Sequence, residues 1–583
     1  MADRSSRLAL HVATLAIGSL AATASVAPGI PNVQDLKDER PNILLIISDD
    51  QRHDTMTYMP RTQALIFDQG VTFTRGYVTT GECCPSRSSI LTGMYAHNHG
   101  VLTNDDNLRE ETMVEHLDEG GYYTGLVGKY LNTYPSCTDP PLPEFDYWVA
   151  LYALSAQTAS YVDPRLNVNG EWARHEGYQT TLLRDYALEF LQEADQQEDP
   201  FFLIYAPFAP HLPARPAPGD ETLYPDFPEH RPPSFDEDDL SDKPAWLQEF
   251  APLTPEQIET IDKSLRRQAQ TLNALDESVE RLLAELEAQG ELDNTLIIYL
   301  SDNGKFAGEH RKESGKANVY EEVTRVPFAV RYPPLVAEPR TDTHLVANID
   351  VAPTIYDVAG LSIPPDVDGL SLVPLLQGQQ EGWREHLLIE AWPPFKVVGL
   401  PYKAIHTGRY VYVETESDSA ELYDLVDDPY QLQNQIDNPD YADVLVDLRA
   451  RLDEEKADIK PPPIASRASP IGRRYLKVKN SIAGLTNRRK YLIGTGILLL
   501  AGLLVGHKHL RRLVTNPSRT DAWALAAAGL VIAALAALAD DIGLSNSPGK
   551  LGTIQIAGIV AGAVLFAAGL LILQLSRSRQ LPK

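Results

Sequence analysis

The most apolar runs in the first half of this chain are short, and each gives way to polar residues. Asn42–Ile47 leads into Ser48-Asp49-Asp50, Phe201–Tyr205 leads toward Ala209-Pro210-His211, and Leu296–Leu300 leads into Ser301-Asp302-Asn303-Gly304. Unbroken apolar runs of this length, bounded by turn residues, predict strands buried on both faces, as in a parallel sheet. A long helix is predicted between the second and third. Thr254 can cap it, Pro255 suits its first turn, Gln257 completes a capping box and Gly290 can end it. Strands separated by helices indicate an α/β domain over residues 40–380, with a large mixed, mostly parallel sheet flanked by helices. In such sheets ligands bind beyond the carboxyl ends of the strands. The polar clusters at Asp49 and Asp302 therefore mark where a site should form.

The pattern changes near residue 380. Strand-like runs such as Lys403–Tyr412 and Glu421–Asp424, then a helix near Tyr441–Lys456, predict a smaller α+β C-terminal subdomain over 381–460. Pro461-Pro462-Pro463 opens a basic linker over 461–490. Three apolar runs follow, Tyr491–Val505, Ala522–Ala539 and Leu551–Leu575, and predict three transmembrane helices within 491–575. The first is short against the ~20 residues usually needed, and its basic flanks can snorkel. At the other end, Arg4 and Arg7 precede an apolar run to about Ala22, and Ala22-Thr23-Ala24 offers a cleavage site. These features predict a signal peptide over 1–24, an uncleaved anchor being the alternative.

Charge sharpens this division. The chain carries a net charge of −29, yet residues beyond 460 hold 16 Lys and Arg against 3 acids. The globular body is thus strongly acidic, which disfavours nucleic acid as a partner. Three spans with the body outside place Lys508, Arg511, Arg512 and Arg519 inside, as the positive-inside tendency expects. The basic residues at 473–490 then face outside, where they meet anionic lipid, unless the orientation is reversed. The expected location is membrane-anchored, with the acidic globular body extracytoplasmic.

Asp49, Asp50, Asp302 and Asn303 offer only oxygen donors, three of them anionic. That set suits a hard divalent cation, Ca2+ slightly better than Mg2+. Such an ion offsets repulsion among the carboxylates and can act as a Lewis acid on a bound ligand. Between these clusters lies Gly81-Glu82-Cys83-Cys84-Pro85-Ser86-Arg87-Ser88-Ser89-Ile90-Leu91-Thr92-Gly93. Its Cys-x-Pro-Ser-Arg followed by Leu-Thr-Gly resembles the signature of the sulfatase family. In form the chain is nearest to the glucosamine-6-sulfatase branch, through Gly128-Lys129-Tyr130-Leu131-Asn132.

The resemblance covers roughly residues 40–460. It implies that Cys83 is oxidised by a formylglycine-generating enzyme and that the resulting formylglycine is both nucleophile and metal ligand. It also implies that Asp49, Asp50, Asp302 and Asn303 hold the metal and that Arg87 and Lys129 contact the formylglycine. Lys129, His211 and Lys316 are implied to bind sulfate, with His211 or Lys316 assisting departure of the alcohol. His310, in Gly308-Glu309-His310, is a candidate for positioning substrate, and His97 and His99 are weaker candidates. Many family members carry a His two residues after the first Lys. Here that position is Leu131, which leaves the base for aldehyde regeneration open. Of the three cysteines, Cys84 and Cys137 remain as one candidate bridge.

The expected function is hydrolysis of a sulfate ester, the substrate being a sulfated glycan, an aryl sulfate or a lipid sulfate. Alternatives are a phosphonate or phosphodiester hydrolase on the same fold, or a non-catalytic binder of sulfated glycans if Cys83 stays unmodified. A membrane phosphoethanolamine transferase is disfavoured, because those enzymes use Thr and histidine-bound zinc.

Overall fold

Strand Asn42–Ser48 is buried along its whole length because it sits in the middle of a sheet with helices on both faces. In the computed structural model of the chain, the described residues are 40–132, 134, 139–152, 160–392 and 401–459. The predicted signal peptide, basic linker and three apolar runs lie outside them, as does Cys137. Among the described residues, no helix is long and apolar enough to cross a membrane.

The large sheet has ten strands among the described residues. From one edge they run Arg340–Asp342, Val71–Phe73, Phe328–Arg331, Thr295–Ser301 and Asn42–Ser48. Then follow Phe201–Ala206, Tyr123–Gly128, Tyr147–Leu151, Arg165–Val168 and Glu171–Arg174. The middle, from Thr295–Ser301 to Tyr147–Leu151, is parallel, whereas antiparallel pairings appear toward both edges. The sheet is therefore mixed. Three of the strands in its parallel part, Asn42–Ser48, Phe201–Ala206 and Thr295–Ser301, are those read from the apolar runs, and Tyr123–Gly128 and Tyr147–Leu151 join them.

Alternate residues of each central strand feed two different cores. Ile43, Leu45, Ile47, Phe202, Ile204, Leu296, Ile298 and Leu300 pack with residues of the Cys83–Thr92, Met113–Glu119 and Val351–Val358 helices. Leu44, Ile46, Leu203, Tyr205, Ile297 and Tyr299 pack on the other face with the Gln179–Ala194 and Pro255–Gln289 helices. Each such side chain contributes about 1.5–3 kcal/mol by leaving water. Both faces being apolar, a slip by one residue would not expose the strand, so facial polarity does not set register here. Polar ends set it instead. Asn42 accepts the Phe201 N–H at 3.0 Å and donates to Glu291 at 2.9 Å, and Ser48 pairs opposite Ser301.

The Pro255–Gln289 helix has the expected start and stop. Thr254 and Gln257 form the capping box, and Gly290 closes the helix in the left-handed region at φ 82°.

The C-terminal part is a four-stranded antiparallel sheet, Leu387–Ala391, Tyr402–His406, Tyr410–Thr415 and Glu421–Asp424, with the helix Ala442–Asp458. The single run read over Lys403–Tyr412 is two strands, because Thr407, Gly408 and Arg409 turn the chain and Gly408 takes φ 79°. One face of this sheet packs on Leu448 and Leu452 of the helix. The other presents Ile389, Ala404, Val413 and Tyr423 to Phe306, Val319, Tyr320 and Val323. That contact holds the loop following Asp302 from behind.

Candidate functional site

Four parallel neighbours deliver side chains to one place. Asp49 and Asp50 follow Ser48, Asp302 and Asn303 follow Ser301, Lys129 follows Gly128, and His211 lies five residues beyond Ala206. The strand register brings these ends level. Ser48 faces Ser301, and Gly128 faces Ala206. Gly128 is required there, since a Cβ would lie 2.1 Å from the Ala206 carbonyl oxygen. This close approach lets the Lys129 N–H donate to that same oxygen at 2.7 Å. Asp50 sits in the left-handed region at φ 62°, uncommon for a residue with a side chain. Its N–H donates to Asp302 Oδ1 at 3.1 Å.

Cys83 begins the Cys83–Thr92 helix and is 1% exposed. Its Sγ lies 2.7 Å from Lys316 Nζ, 3.6 Å from Asp49 Oδ1 and 4.0 Å from Asp50 Oδ1. Lys129 Nζ donates to Asp49 Oδ2 at 2.7 Å, and Lys316 Nζ to Asp50 Oδ1 at 2.5 Å. Arg87, one turn along the helix, donates through Nε to Asp302 Oδ2 and through Nη1 to the Lys129 carbonyl, both at 2.8 Å. His211 Nδ1 donates to the Leu212 carbonyl at 2.6 Å, which leaves Nε2 facing Asp50 Oδ2 at 3.5 Å.

Electrostatics follow from burial and crowding. Burial works to raise the pKa of Asp49 and Asp50, but Lys129 beside the first and Lys316 beside the second hold both carboxyls below their usual range. Burial pushes the Cys83 thiol far up despite Lys129 and Lys316, so an unmodified thiolate is disfavoured here. His211 is lowered by burial against the pull of Asp50 and Asp49.

One ligand atom each from Asp49, Asp50, Cys83 and His211 falls within 4.8 Å of the others. This cluster differs from the set read in the sequence. Asp302 stands outside it, with its two oxygens taken by Arg87 and the Asp50 N–H. His211 Nε2 enters it because the chain after Phe201–Ala206 returns over Asp50.

The residues fit a divalent cation. Asn303 donates its amide to Asp50 Oδ1 at 2.7 Å, but its own buried Oδ1 has no hydrogen-bond partner among the described residues. A buried amide oxygen left open is costly unless something electropositive meets it. Asp49, Asp50, Asp302 and Asn303 remain a hard-oxygen set. Arg87 Nη2, also buried, makes no hydrogen bond among the described residues and lies 3.7 Å from Asp49 Oδ2. The site thus leaves one acceptor and one donor open.

Other residues read as candidates lie elsewhere. His310 is fully buried, its Nδ1 lies 2.5 Å from Glu237, and its ring packs on Phe306 and Tyr320. None of these partners belongs to the Cys83 cluster. His97 is 2.9 Å from Glu390, and His99 contacts Ser89 at 3.1 Å, so both brace the Cys83–Thr92 helix and its surroundings. Leu131 is buried in the core.

Sequence reasoning missed Lys305. It is 4% exposed, and burial lowers its pKa to about 8 against the pull of Asp50 and Glu309. It adds a fourth cationic side chain to Lys129, Lys316 and Arg87. Its signal in the sequence was faint, a single Lys following Asp302-Asn303-Gly304.

Residues 41–361 match the family model Sulfatase, and residues 308–458 match the model for the N-sulphoglucosamine sulphohydrolase C-terminal region. The chain is 35% identical over 377 residues to an extracellular sulfatase SULF-1 homolog of Drosophila melanogaster, covering 61% of this chain and 33% of that protein. It is 35% identical over 378 residues to the N-acetylglucosamine-6-sulfatase of Homo sapiens, covering 60% of this chain and 67% of that protein. The chain thus spans from a third to two thirds of the length of these curated relatives. A solved structure in complex with its substrate D-glucosamine-2-N,6-O-disulfate matches with a TM-score of 0.66 at 26% identity, over 73% of this chain and 100% of that one. With a family model running through more than half of its length, this chain belongs to the sulfatase family.

Proposed function

We propose that this chain hydrolyses a sulfate ester to an alcohol and inorganic sulfate, with a sulfated glycan as substrate. The observation that carries the reading is the setting of Cys83, within reach of Lys316, Asp49 and Asp50 at the carboxyl end of the sheet. Oxidised to formylglycine, Cys83 would supply a hydrated aldehyde with one hydroxyl as nucleophile toward sulfur, displacing the alcohol. Loss of a proton from the second hydroxyl would re-form the C=O as the C–O bond to sulfate breaks. A divalent cation, Ca2+ in preference to Mg2+, would be held by Asp49, Asp50, Asp302 and Asn303 and supplies Lewis-acid polarisation of a sulfate oxygen.

The chain's own residues have distinct tasks. Arg87 fixes Asp302 and the Lys129 backbone, and its open Nη2 holds the nucleophile's oxygen. Lys129 and Lys316 neutralise the sulfuryl oxygens, and Lys316 or His211 assists the departing alcohol. Charge supports an anionic substrate. Three carboxylates face four cationic side chains, so an added divalent ion leaves positive charge in excess.

The names of the relatives favour glucosamine sulfates and an extracytoplasmic location. The apolar runs at 491–575 are assigned to a membrane anchor, which predicts recovery in the detergent phase and not in an alkaline wash.

Mass spectrometry of the tryptic peptide Gly76–Arg87 from native-host protein tests the nucleophile. Formylglycine at position 83 is expected, and an unmodified Cys83 in mature protein would remove the turnover chemistry. Calorimetric titration of Ca2+ is expected to show one site, weakened in Asp50→Asn. Equal Ca2+ binding by both proteins would overturn the metal assignment.

A further inference from the structure

Beside the Cys83 cluster lies a cavity of about 120 Å³, and apart from Asp50 the proposed chemistry uses none of its lining. Asp50 and Pro210 are among its lining residues, and Asp50 Oδ1 lies 4.0 Å from Cys83 Sγ. Tyr58 and Phe227 line it with their rings stacked at 5.4 Å between centroids. Arg52, Asp54 and His230 line it as well.

These polar groups are held in place before any ligand arrives. Arg52 donates to both oxygens of Asp54, at 3.1 and 2.8 Å, and to the Lys305 carbonyl at 2.8 Å. It also pairs with Glu309 at 2.9 Å, and Glu309 contacts His230 Nε2 at 2.6 Å. The guanidinium is therefore fully committed to the protein. Asp54 is gripped on one side, yet 37% of its side chain stays exposed. A fixed carboxylate beside an aromatic wall is the chemistry that binds a sugar. The ring lies against the aromatic face by its C–H groups, and vicinal hydroxyls donate to the carboxylate. At about 120 Å³ the cavity lies below the ~300–1,000 Å³ of drug-sized pockets and has no room for an extended chain. Asp54 and Glu229 also line it while Arg52 is neutralised, so it favours an uncharged, hydroxyl-bearing face over a second sulfate.

We propose that this cavity is the subsite for the sugar ring that carries the ester, with Asp54 accepting from its hydroxyls and Phe227 as its stacking surface. The proposal rests on the sulfatase reading above. Arg52 and Glu309 are positioning residues for Asp54 and His230.

The test uses the mature full-length protein and two substrates, N-acetylglucosamine 6-sulfate and 4-nitrophenyl sulfate, the second lacking hydroxyls for Asp54. Asp54→Asn, an isosteric change at an exposed position, is expected to raise KM for the sugar about tenfold or more. Its kcat for the sugar, and both constants for the aryl ester, are expected to stay within about twofold of wild type. Phe227→Ala is expected to raise the sugar's KM by a similar factor. Unchanged sugar KM in both variants overturns the subsite. So does an equal loss on both substrates, which marks a structural role. A wild-type protein that cleaves neither ester removes the sulfatase reading and the subsite with it, an outcome distinct from the other two.

Discussion

Two buried charge clusters stand on either side of the loop that carries Lys316, and they are built differently. In the seam between the large sheet and the C-terminal sheet, Glu421 Oε2 accepts from Tyr320 and Tyr423 at 2.7 Å each. There Glu321 contacts His406 at 2.9 Å and accepts from Tyr77 at 3.1 Å. These carboxylates are taken up by Tyr320, by Tyr77 of the short strand Gly76–Tyr77, and by His406 and Tyr423 of the C-terminal sheet. Around Cys83, by contrast, Asn303 Oδ1 and Arg87 Nη2 are buried without hydrogen-bond partners among the described residues. The seam carboxylates are satisfied and fasten elements together, although Tyr402 Oη and Gln431 Nε2 beside them are buried without hydrogen-bond partners among the described residues. At the Cys83 site the open atoms stand beside ligand atoms of Asp49, Asp50, Cys83 and His211 gathered within 4.8 Å, a setting shaped for a group that arrives later.

The sharpest break of this comparison is Cys83→Ala. It is expected to lower kcat/KM by on the order of 10⁴-fold or more, with melting temperature nearly unchanged, because only the nucleophile is lost. Steady-state kinetics beside thermal unfolding check it. A seam change should do the reverse. His406→Ala leaves Glu321 buried without its imidazole, and a loss of about 3–5 kcal/mol in unfolding free energy is expected, with activity per folded molecule retained. Denaturant titration measures it. Lys129→Ala should cost about 10²–10³-fold in kcat while leaving stability much less affected, since the residue faces the reacting group.

A subtler test uses pH. Burial raises the Glu421 pKa from 4.5 to about 7, despite the two tyrosine hydroxyls. An acid whose folded pKa is raised binds its proton more tightly when folded. Its stabilising contribution is therefore full below pH 4.5 and is lost as pH rises through about 7. The loss amounts to about 3 kcal/mol across that window. Glu421→Gln keeps an acceptor for the tyrosines and cannot titrate, so its stability should stay flat where wild type declines. An equal change in unfolding free energy between pH 5 and 8 for wild type and variant, from urea titrations, would contradict this.

How far the chain could be read without coordinates follows the same division. The parallel centre was legible because Ile43–Ile47 and Leu296–Leu300 are continuous apolar runs with polar ends. The long helix was legible because Thr254, Gln257 and Gly290 punctuate it. Cys83, Arg87, Lys129 and Lys316 were legible from local motifs, and the structure brings them together. The antiparallel edges were not, since Arg165–Val168 and Glu171–Arg174 are short and partly polar. His310 looked functional in its motif, but its partners come from residues 234–237 and from Tyr320, contacts that no local pattern encodes. The Arg52–Glu309 pair was invisible for the same reason. Local spacing marks reactive residues, whereas distant packing decides which neighbours they keep.

The placement of Asn42–Ser48 at the centre of the sheet also sets a timetable. One of its two neighbours, Thr295–Ser301, leaves the ribosome long after it, and Asp50 and Asp302 are 252 positions apart. At about 5–20 residues per second, that gap is roughly 10–50 s of synthesis. For that interval the most apolar strand of the domain has an unpaired edge, a state prone to association with other nascent chains. Slowing translation within residues 210–290 should therefore lower soluble yield without altering the protein that does fold.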